Sequence, residues 1–312
     1  MTPAPRRVQV RVPATSANLG PGFDTLGLAL ALHDELEVTV TDRAGAVVEV
    51  HGVGEGEVPT DESNLVAQTI RHTFARVGRE APGLHLVAHN SIPHGRGMGS
   101  SGAAIVAGVM AAKGLLAGDV EFGAEELLAI ATELEGHPDN VAPALFGGLT
   151  IAWTSADGAP RFKKLLVHRG VSPLVLVPDL TLSTKVARGL QPESVPHIDA
   201  VFNVSRASLL IAALVQSPQL LLEATEDRLH QTYRASAMPQ TAGLVRELRE
   251  EGIAAVVSGA GPSVLVLAED PLQRLRAAEI AELRAGSDWR ALLLAVDVKG
   301  ATVNASRVDA SS

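Results

Sequence analysis

The glycine-rich stretch IPHGRGMGSSG, Ile92 to Gly102, follows the alternating run GLHLVAHN and leads straight into AAIVAGVMAAKGLLAG, a helix of small residues. Any fold for the chain has to place a strand, an open backbone loop and a helix N-terminus in succession. Successive small residues leave backbone N–H groups uncovered, and the helix behind them adds partial positive charge. Such a nest suits phosphate oxygens, and a serine at its rim suits Mg2+. The plain alternative is that the glycines only permit a tight turn and close helix packing. Pro93, two adjacent serines and the small-residue helix arriving together weigh against it.

Context excludes two common phosphate loops. Gly97, Gly99 and Gly102 spell G-x-G-x-x-G, but a dinucleotide-binding unit needs a strand after the following helix, with an acid at its end. Asp119 instead falls in a short linker before another helix. The G-x-x-x-x-G-K-[ST] loop fails too, because no lysine follows Gly99 or Gly102.

Around the loop, alternating β-branched runs at Val8 to Val12, Leu36 to Thr41 and Ala46 to His51 predict strands of an antiparallel or mixed sheet. A helix starting at Ser63 or Asn64 and stopping near Gly78 comes next, and AEELLAIATELEG is a second one after the glycine loop. Beyond HPDNVAPALFGG the pattern predicts strand LTIAW, a hairpin through SADGAP and strand PLVLVPD. A helix AVFNVSRASLLIAALVQ, helices at Glu223 to Thr232 and Gln240 to Glu250, and strands AAVVS and SVLVLAE follow. A helix from Leu272 to Ala285 and strand ALLLAVD complete the series, and the last dozen residues read as frayed. The expected boundary lies near residues 155 to 170, dividing the chain into 1–160 and 161–312.

The 312 residues suffice for two domains with a large core, and the absence of cysteine removes disulfides, thiol nucleophiles and zinc–thiolate sites. With a net charge of -9 and 3% aromatic residues there is neither a basic footprint nor a supply of stacking rings for nucleic acid. No run reaches the roughly 18 apolar residues of a membrane span, and no apolar segment follows the two N-terminal arginines. A soluble, cytoplasmic α/β or α+β protein that does not bind membranes is the expectation.

PHGRGMGSSGA resembles the P-x-x-x-G-[LM]-G-S-S-[AG] loop of the GHMP kinases. A second glycine loop, SGAGPSV from Ser258 to Val264, is similar to another element of that family. The N-terminal PATSANLGPGFDTLG resembles its homoserine kinase branch, as do EGHPDNVAPALFGG, STKVARGLQP, DAVFNVSRASLL and DRLHQTYRASAMP, so the likeness covers nearly the whole chain. The resemblance implies ATP-dependent phosphorylation of L-homoserine. It also implies a two-domain α+β fold, with an N-terminal domain like the second domain of ribosomal protein S5 and a C-terminal ferredoxin-like domain. A homodimer is the family habit. A kinase of another small alcohol, such as mevalonate, and a non-catalytic ligand-binding relative remain as alternatives.

Site residues carried over by the resemblance fall into three groups. The nucleotide phosphates are assigned to Pro93, His94, Gly95, Arg96, Gly97, Met98, Gly99, Ser100, Ser101, Gly102 and Ala103, with Gly259, Gly261 and Asn64 nearby. Asn64 reads equally as a helix cap, and Arg96, which departs from the usual loop as His94 does, either touches phosphate or points to solvent. Mg2+ is assigned to Ser100 or Ser101 with Glu133, and Glu135 is the rival. Both glutamates lie in the last turn of their helix, where a carboxylate opposes the helix dipole at a cost of about 0.3–1 kcal/mol. For a zwitterionic acceptor, Arg188 and Arg234 match carboxylate-holding positions, and a guanidinium fork suits a carboxylate. Asn18, Asp24, His137 and Asp139 match substrate contacts, with Thr184 a weaker addition. Asp139 and Asn140 are the catalytic candidates, as groups that orient the acceptor hydroxyl, since no clear Asp–Lys pair is visible.

Overall fold

Strands β1 (Arg6–Ala17) and β2 (Leu26–Thr41) are both longer than the alternating runs that announce them. Pro13 has no N–H for a ladder and would end an ordinary strand. Here the register shifts between Pro13 and Ala14, and pairing resumes as far as Ala17 opposite Gly27. The irregularity absorbs the proline, so only residues 18–25 form the connecting loop.

The computed structural model describes residues 6–285 and 288–307. Strands β3 (Ala46–Gly52) and β4 (Gly83–Asn90) extend the sheet on one side of β2, and β5 (Leu149–Thr154) and β6 (Pro160–Leu165) branch from its other end. Only β3 and β4 run parallel, and helix α1 (Leu65–Arg76) makes the crossover between them. The last strand, which we label β11 (Thr302–Arg307), pairs along β1 from Arg6 opposite Arg307 to Arg11 opposite Thr302. The frayed C-terminus expected from sequence is therefore replaced, up to Arg307, by an edge strand. Its polar Thr–Val–Asn–Ala–Ser–Arg composition hides it from a hydrophobic count.

A second sheet takes β7 (Ser172–Pro178), β8 (Ala255–Val257), β9 (Val264–Ala268) and β10 (Trp289–Leu293) in the antiparallel order β10-β7-β9-β8. Numbered along the chain this is 4-1-3-2, the ferredoxin-like arrangement. Sheet membership thus divides the chain otherwise than a cut at residue 160: β6 begins there and stays with the first sheet, and β11 returns to it.

The continuous apolar runs of β7 and β9 reflect burial on both faces. Leu174, Leu176, Val264 and Val266 face helices α9 (Pro239–Glu250) and α10 (Pro271–Ala285). Val175, Val177, Leu265 and Leu267 join the larger core, which also holds Leu210 and Leu214 of α6 (His197–Val215). At 19 residues and a mean hydropathy of 1.7, α6 has the length and composition of a membrane span, which the count of apolar runs had excluded. It carries Asp199, Asn203 and Arg206, all of which hydrogen-bond within the protein. The helix expected over Glu223 to Thr232 is instead two short ones, α7 (Leu221–Ala224) and α8 (Gln231–Arg234). The turn between them is set by Asp227, whose carboxylate accepts from the N–H groups of Leu229, His230 and Gln231.

Helix α2 (Ser100–Leu115) runs through the first core. Its small residues are what this position requires. A Cβ on Gly108 would lie 2.6 Å from the Thr69 Cβ of α1, and one on Gly114 would lie 2.7 Å from Val303 and 2.9 Å from Val8. Gly108→Ala is expected to cost about 1–3 kcal/mol through overpacking. Gly243→Ala in α9, where a Cβ meets open space, should stabilise by up to about 1 kcal/mol. Urea unfolding of the two variants beside the parent checks both signs.

Candidate active site

Three stretches far apart in sequence meet where the two sheets approach. The Thr15 N–H donates to the Met98 carbonyl at 3.1 Å, and the Gly259 N–H donates to the Ala17 carbonyl at 3.1 Å. Ser258 Oγ donates to the Gly97 carbonyl at 2.7 Å and also meets Ser16 Oγ at 2.9 Å. Gly97 lies so close to the Ser258 and Gly261 backbone that a side chain has no room. The glycines of the loop therefore have a packing role. Gly99 caps α2 in a left-handed conformation without any side-chain bond to the helix. The first-turn N–H groups are left to an external acceptor.

The loop of residues 18–25 is strained. Asn18 (φ 71), Leu19 (φ 50) and Asp24 (φ 52) are all left-handed without being glycine, at a cost on the order of 1–2 kcal/mol each. Its surroundings hold it there: the Asn18 amide donates to the Gly259 carbonyl at 2.8 Å and accepts from the Asp24 N–H at 2.9 Å. Asn203 Nδ2 donates to the Pro21 carbonyl at 3.2 Å, and the His230 ring lies 2.8 Å from the Gly20 carbonyl. Asn18, expected to touch substrate, is 4% exposed with both ends of its amide engaged. It shapes the loop that presents Asp24.

Beside the glycine loop, a cavity of about 250 Å³ opens between β3, β4, α1 and α2. Val48, Val50, Val58 and Leu86 give it apolar walls, and Asn64, His94, Ser100 and Ser101 give it a polar end. Its apolar walls and its position at the phosphate nest suit a nucleobase. Asn64 proves to be both cap and lining residue: its side chain accepts from Val66 N–H at 2.9 Å and donates to the Pro59 carbonyl at 2.8 Å. Pro93 and Met98 are buried and fix the loop, and Gly95, through its carbonyl, accepts from the Leu182 N–H. Gly102 and Ala103 lie in the first turns of α2, and Gly261 packs on Met238. Arg96 follows neither expected course. Its guanidinium donates to the carbonyls of Pro178 (2.8 Å), Asp179 (2.8 Å) and His94 (3.2 Å), tethering the loop to the end of β7.

The two rival glutamates at the end of α3 (Ala124–Glu135) diverge. Glu133 pairs with His72 at 3.6 Å and Arg76 at 3.4 Å on α1, so the metal assignment made there from sequence does not fit. Glu135 accepts from Ser101 Oγ at 2.9 Å. Burial pushes its carboxyl up, against the Ser101 hydrogen bond and the Arg188 charge. A carboxylate and a hydroxyl beside a phosphate nest suit Mg2+, which takes one or two protein oxygens and fills the rest with water and phosphate. Among the described residues no group of three His, Asp or Glu forms a self-sufficient metal cage. Ser100 lines the cavity without a place in this pair.

Opposite the nest lies a cluster of charges. Asp24 and Arg188 of α5 (Thr184–Gly189), a helix the sequence did not announce, face each other fork to fork, at 3.0 and 3.4 Å. Arg234 of α8 is 1% exposed and, among the described residues, has no carboxylate at ion-pair distance. It donates weakly to the Gly259 carbonyl and His230 Nδ1, both at 3.3 Å. Phe23 stacks on His230 at 4.9 Å and receives the Arg234 guanidinium over its ring at 5.2 Å. His137, the N-cap of α4 (Pro138–Phe146), has its pKa lowered by burial and the Arg188 charge. Asp139 is 2% exposed, with Oδ1 buried and unpartnered. Burial first and Asp24 second raise its pKa to about 7. Asn140 accepts from Thr15 Oγ1 at 3.4 Å and lies against Gly99 and Gly102. The side chain of Thr184 lies outside the described residues.

Sequence reasoning missed Phe23, Asn203, Asp227 and His230, although each stands in a segment that carried the family resemblance. Only the fold shows that they form the wall behind Arg234 and the loop of residues 18–25.

Comparisons with known proteins bear on the family and the fold. Residues 64–148 match the GHMP kinases N terminal domain, and residues 209–285 match GHMP kinases C terminal. The homoserine kinase of Clavibacter michiganensis is 72% identical over 298 residues, spanning 96% of this chain and 94% of that protein. The crystal structure of homoserine kinase from Cytophaga hutchinsonii superposes with a TM-score of 0.85 at 27% identity, covering 96% of this chain and 97% of that one. A putative homoserine kinase from Listeria monocytogenes superposes with a TM-score of 0.77 at 34% identity, covering 95% and 99%.

Asp139 gives the site a measurable pH signature. Its carboxyl titrates near 7 when folded, against about 3.9 in an unfolded chain. The stability it contributes is therefore present below about pH 4 and lost as pH rises through 7. Asp139→Asn does not titrate, so the ligand-free variant should gain on the parent between pH 4 and pH 8, by on the order of 3–4 kcal/mol. Denaturant unfolding across that range checks this, and a difference independent of pH overturns it.

Proposed function

The chain belongs to the GHMP kinase family, and from that premise we infer that it is a homoserine kinase, transferring the γ-phosphoryl group of ATP to the side-chain hydroxyl of L-homoserine. The observation that carries the choice of acceptor is Arg234, a buried cation with no carboxylate at ion-pair distance among the described residues. Such a charge costs several kcal/mol unless an anion meets it, and an amino-acid carboxylate is that anion. Asp24 supplies the opposite charge for an ammonium. A mevalonate-like acceptor has a carboxylate but no ammonium, and would compete with Asp24 for Arg188 without offering Asp24 a cation in return.

The proposed site divides along the line between the glycine loop and α4. The backbone amides of residues 97 to 101 cradle the β- and γ-phosphates, with adenine in the cavity beside Asn64. Ser101 and Glu135 are the residues that would hold Mg2+, which neutralises phosphate charge when bound. Arg188 and Arg234 take the homoserine carboxylate, and Asp24 takes the ammonium with His137 beside it. The acceptor hydroxyl is thereby aimed at the γ-phosphorus from the side of Asp139 and Asn140. Its oxygen bonds to phosphorus as the bond to the β–γ bridging oxygen breaks and ADP departs. Asp139, with a pKa of about 7, is matched to accept the hydroxyl proton. In a loose transition state, positioning and charge neutralisation contribute more than basicity.

We also propose a cytoplasmic location, in keeping with a chain without cysteine, and a homodimer. The exposed apolar stripe Ile198, Val201 and Val204 on α6 supports the dimer, and sedimentation equilibrium measures it.

ADP release should depend on both ATP and homoserine; release indifferent to homoserine would leave only a nucleotide-binding relative. Asp139→Asn should lower kcat by on the order of 10²–10⁴ with the KM for ATP unchanged. An effect confined to the KM for homoserine would make Asp139 an orienting group only. Glu135→Gln and Ser101→Ala should each raise the half-saturating Mg2+ concentration about tenfold or more, whereas Glu133→Ala leaves it unchanged.

A further inference from the structure

The two arginines assigned to the substrate carboxylate are in different states. Arg234 is enclosed and, among the described residues, without a carboxylate at ion-pair distance, whereas Arg188 already holds Asp24 through both terminal nitrogens, at 3.0 and 3.4 Å. The pair spans two segments 164 residues apart in sequence, and its side chains are 33% and 39% exposed, open enough for a ligand to reach. It is also incomplete, since Arg188 Nε is buried without an acceptor. Asp24 is thus committed to Arg188 before any ammonium arrives.

Resting on the homoserine reading of the site, we propose that the Asp24–Arg188 ion pair is a charge filter that admits ligands carrying both charges and rejects those carrying one. A zwitterion exchanges with the pair: its ammonium replaces Arg188 at Asp24, and its carboxylate replaces Asp24 at Arg188, so every charge keeps a partner. A hydroxy acid of the same length separates the pair and leaves Asp24 alone. An amino alcohol leaves Arg188 alone. In either case re-forming the pair expels the ligand, so discrimination exceeds the loss of one contact. The reaction needs only the hydroxyl, and the filter restricts a transfer step that would otherwise accept either analogue.

The filter makes an unusual demand: removing a substrate-binding residue should improve the wrong ligand. The probes are 4-hydroxybutyrate, which is homoserine without its ammonium, and 3-amino-1-propanol, which lacks its carboxylate. They are assayed with the full-length enzyme and MgATP by ADP release and by competition against homoserine. Asp24→Asn keeps a residue type that accepts the left-handed backbone. It should weaken homoserine while tightening 4-hydroxybutyrate about fivefold, the worth of a half-exposed ion pair. In an Arg188→Gln background the same replacement should give no such gain, because the released arginine is absent. Arg188→Gln alone should tighten 3-amino-1-propanol by a similar factor, a reciprocal measurement on an independent variant. A gain for 4-hydroxybutyrate in both backgrounds would reduce Asp24 to a repulsive charge and overturn the filter, as would no gain for either probe. Failure of the parent enzyme to turn over homoserine would instead sink the reading of the site.

Discussion

The contact on which the rest of the molecule depends is the Ser258–Gly259 turn laid across Gly97 and Ala17. Through it the second sheet touches the glycine loop and the first strand at once, by the Ser258 Oγ bond to Gly97 and the Gly259 N–H bond to Ala17. The elements proposed to hold the nucleotide lie mostly in the first sheet and its helices, and Arg188 and Arg234 come from the second half of the chain. In the proposed site, donor and acceptor are brought together by these turns closing to hydrogen-bonding distance. Arg96 and Asn18 reinforce the same junction from two sides, one reaching the end of β7 and the other the Gly259 carbonyl. A kinase of this kind needs its phosphate loop fixed relative to an acceptor held elsewhere, because misplacement of reacting atoms by about 1 Å is costly in rate.

The site also keeps what a folded interior normally eliminates. Buried polar groups are nearly always paired, yet here, among the described residues, Asp139 Oδ1 and Arg188 Nε are enclosed without partners and Arg234 has no carboxylate at ion-pair distance. An acceptor, a donor and a cation left unsatisfied in one cluster would suit a ligand that brings a donor, an acceptor and an anion. An amino acid with a terminal hydroxyl offers all three. The strained backbone at Asn18, Leu19 and Asp24 belongs with this set, since sparsely populated conformations persist where the surroundings over-determine them.

How much of this was legible in the sequence depends on the range over which each feature is decided. The strand–loop–helix order, the cap at Asn64 and the small-residue helix follow from local chemistry, and they appear where the pattern puts them. β11 is held by its partner β1 and has too little apolar character to announce itself, so the end of the chain read as loose. Glu133 and Glu135 oppose the helix dipole equally. Two residues apart on a helix they point about 200° apart, and only the positions of α1 and Ser101 decide between them. Arg96 reads as solvent or phosphate because two of its three partners are carbonyls more than 80 residues away, which leave no mark in composition.

The same division explains why Asn18 and Asp24 could be named together and still differ in role. Both stand among glycines in a loop whose wording marks it as special, and both are left-handed. A glycine at either position would relieve the strain. At Asn18 it would remove the two hydrogen bonds that fix the loop to Gly259 and to the Asp24 amide. At Asp24 it would remove the carboxylate itself and free Arg188. The strain at residue 18 is retained for architecture, and the strain at residue 24 for charge. The first holds the second in place, because the amide that Asn18 binds belongs to Asp24.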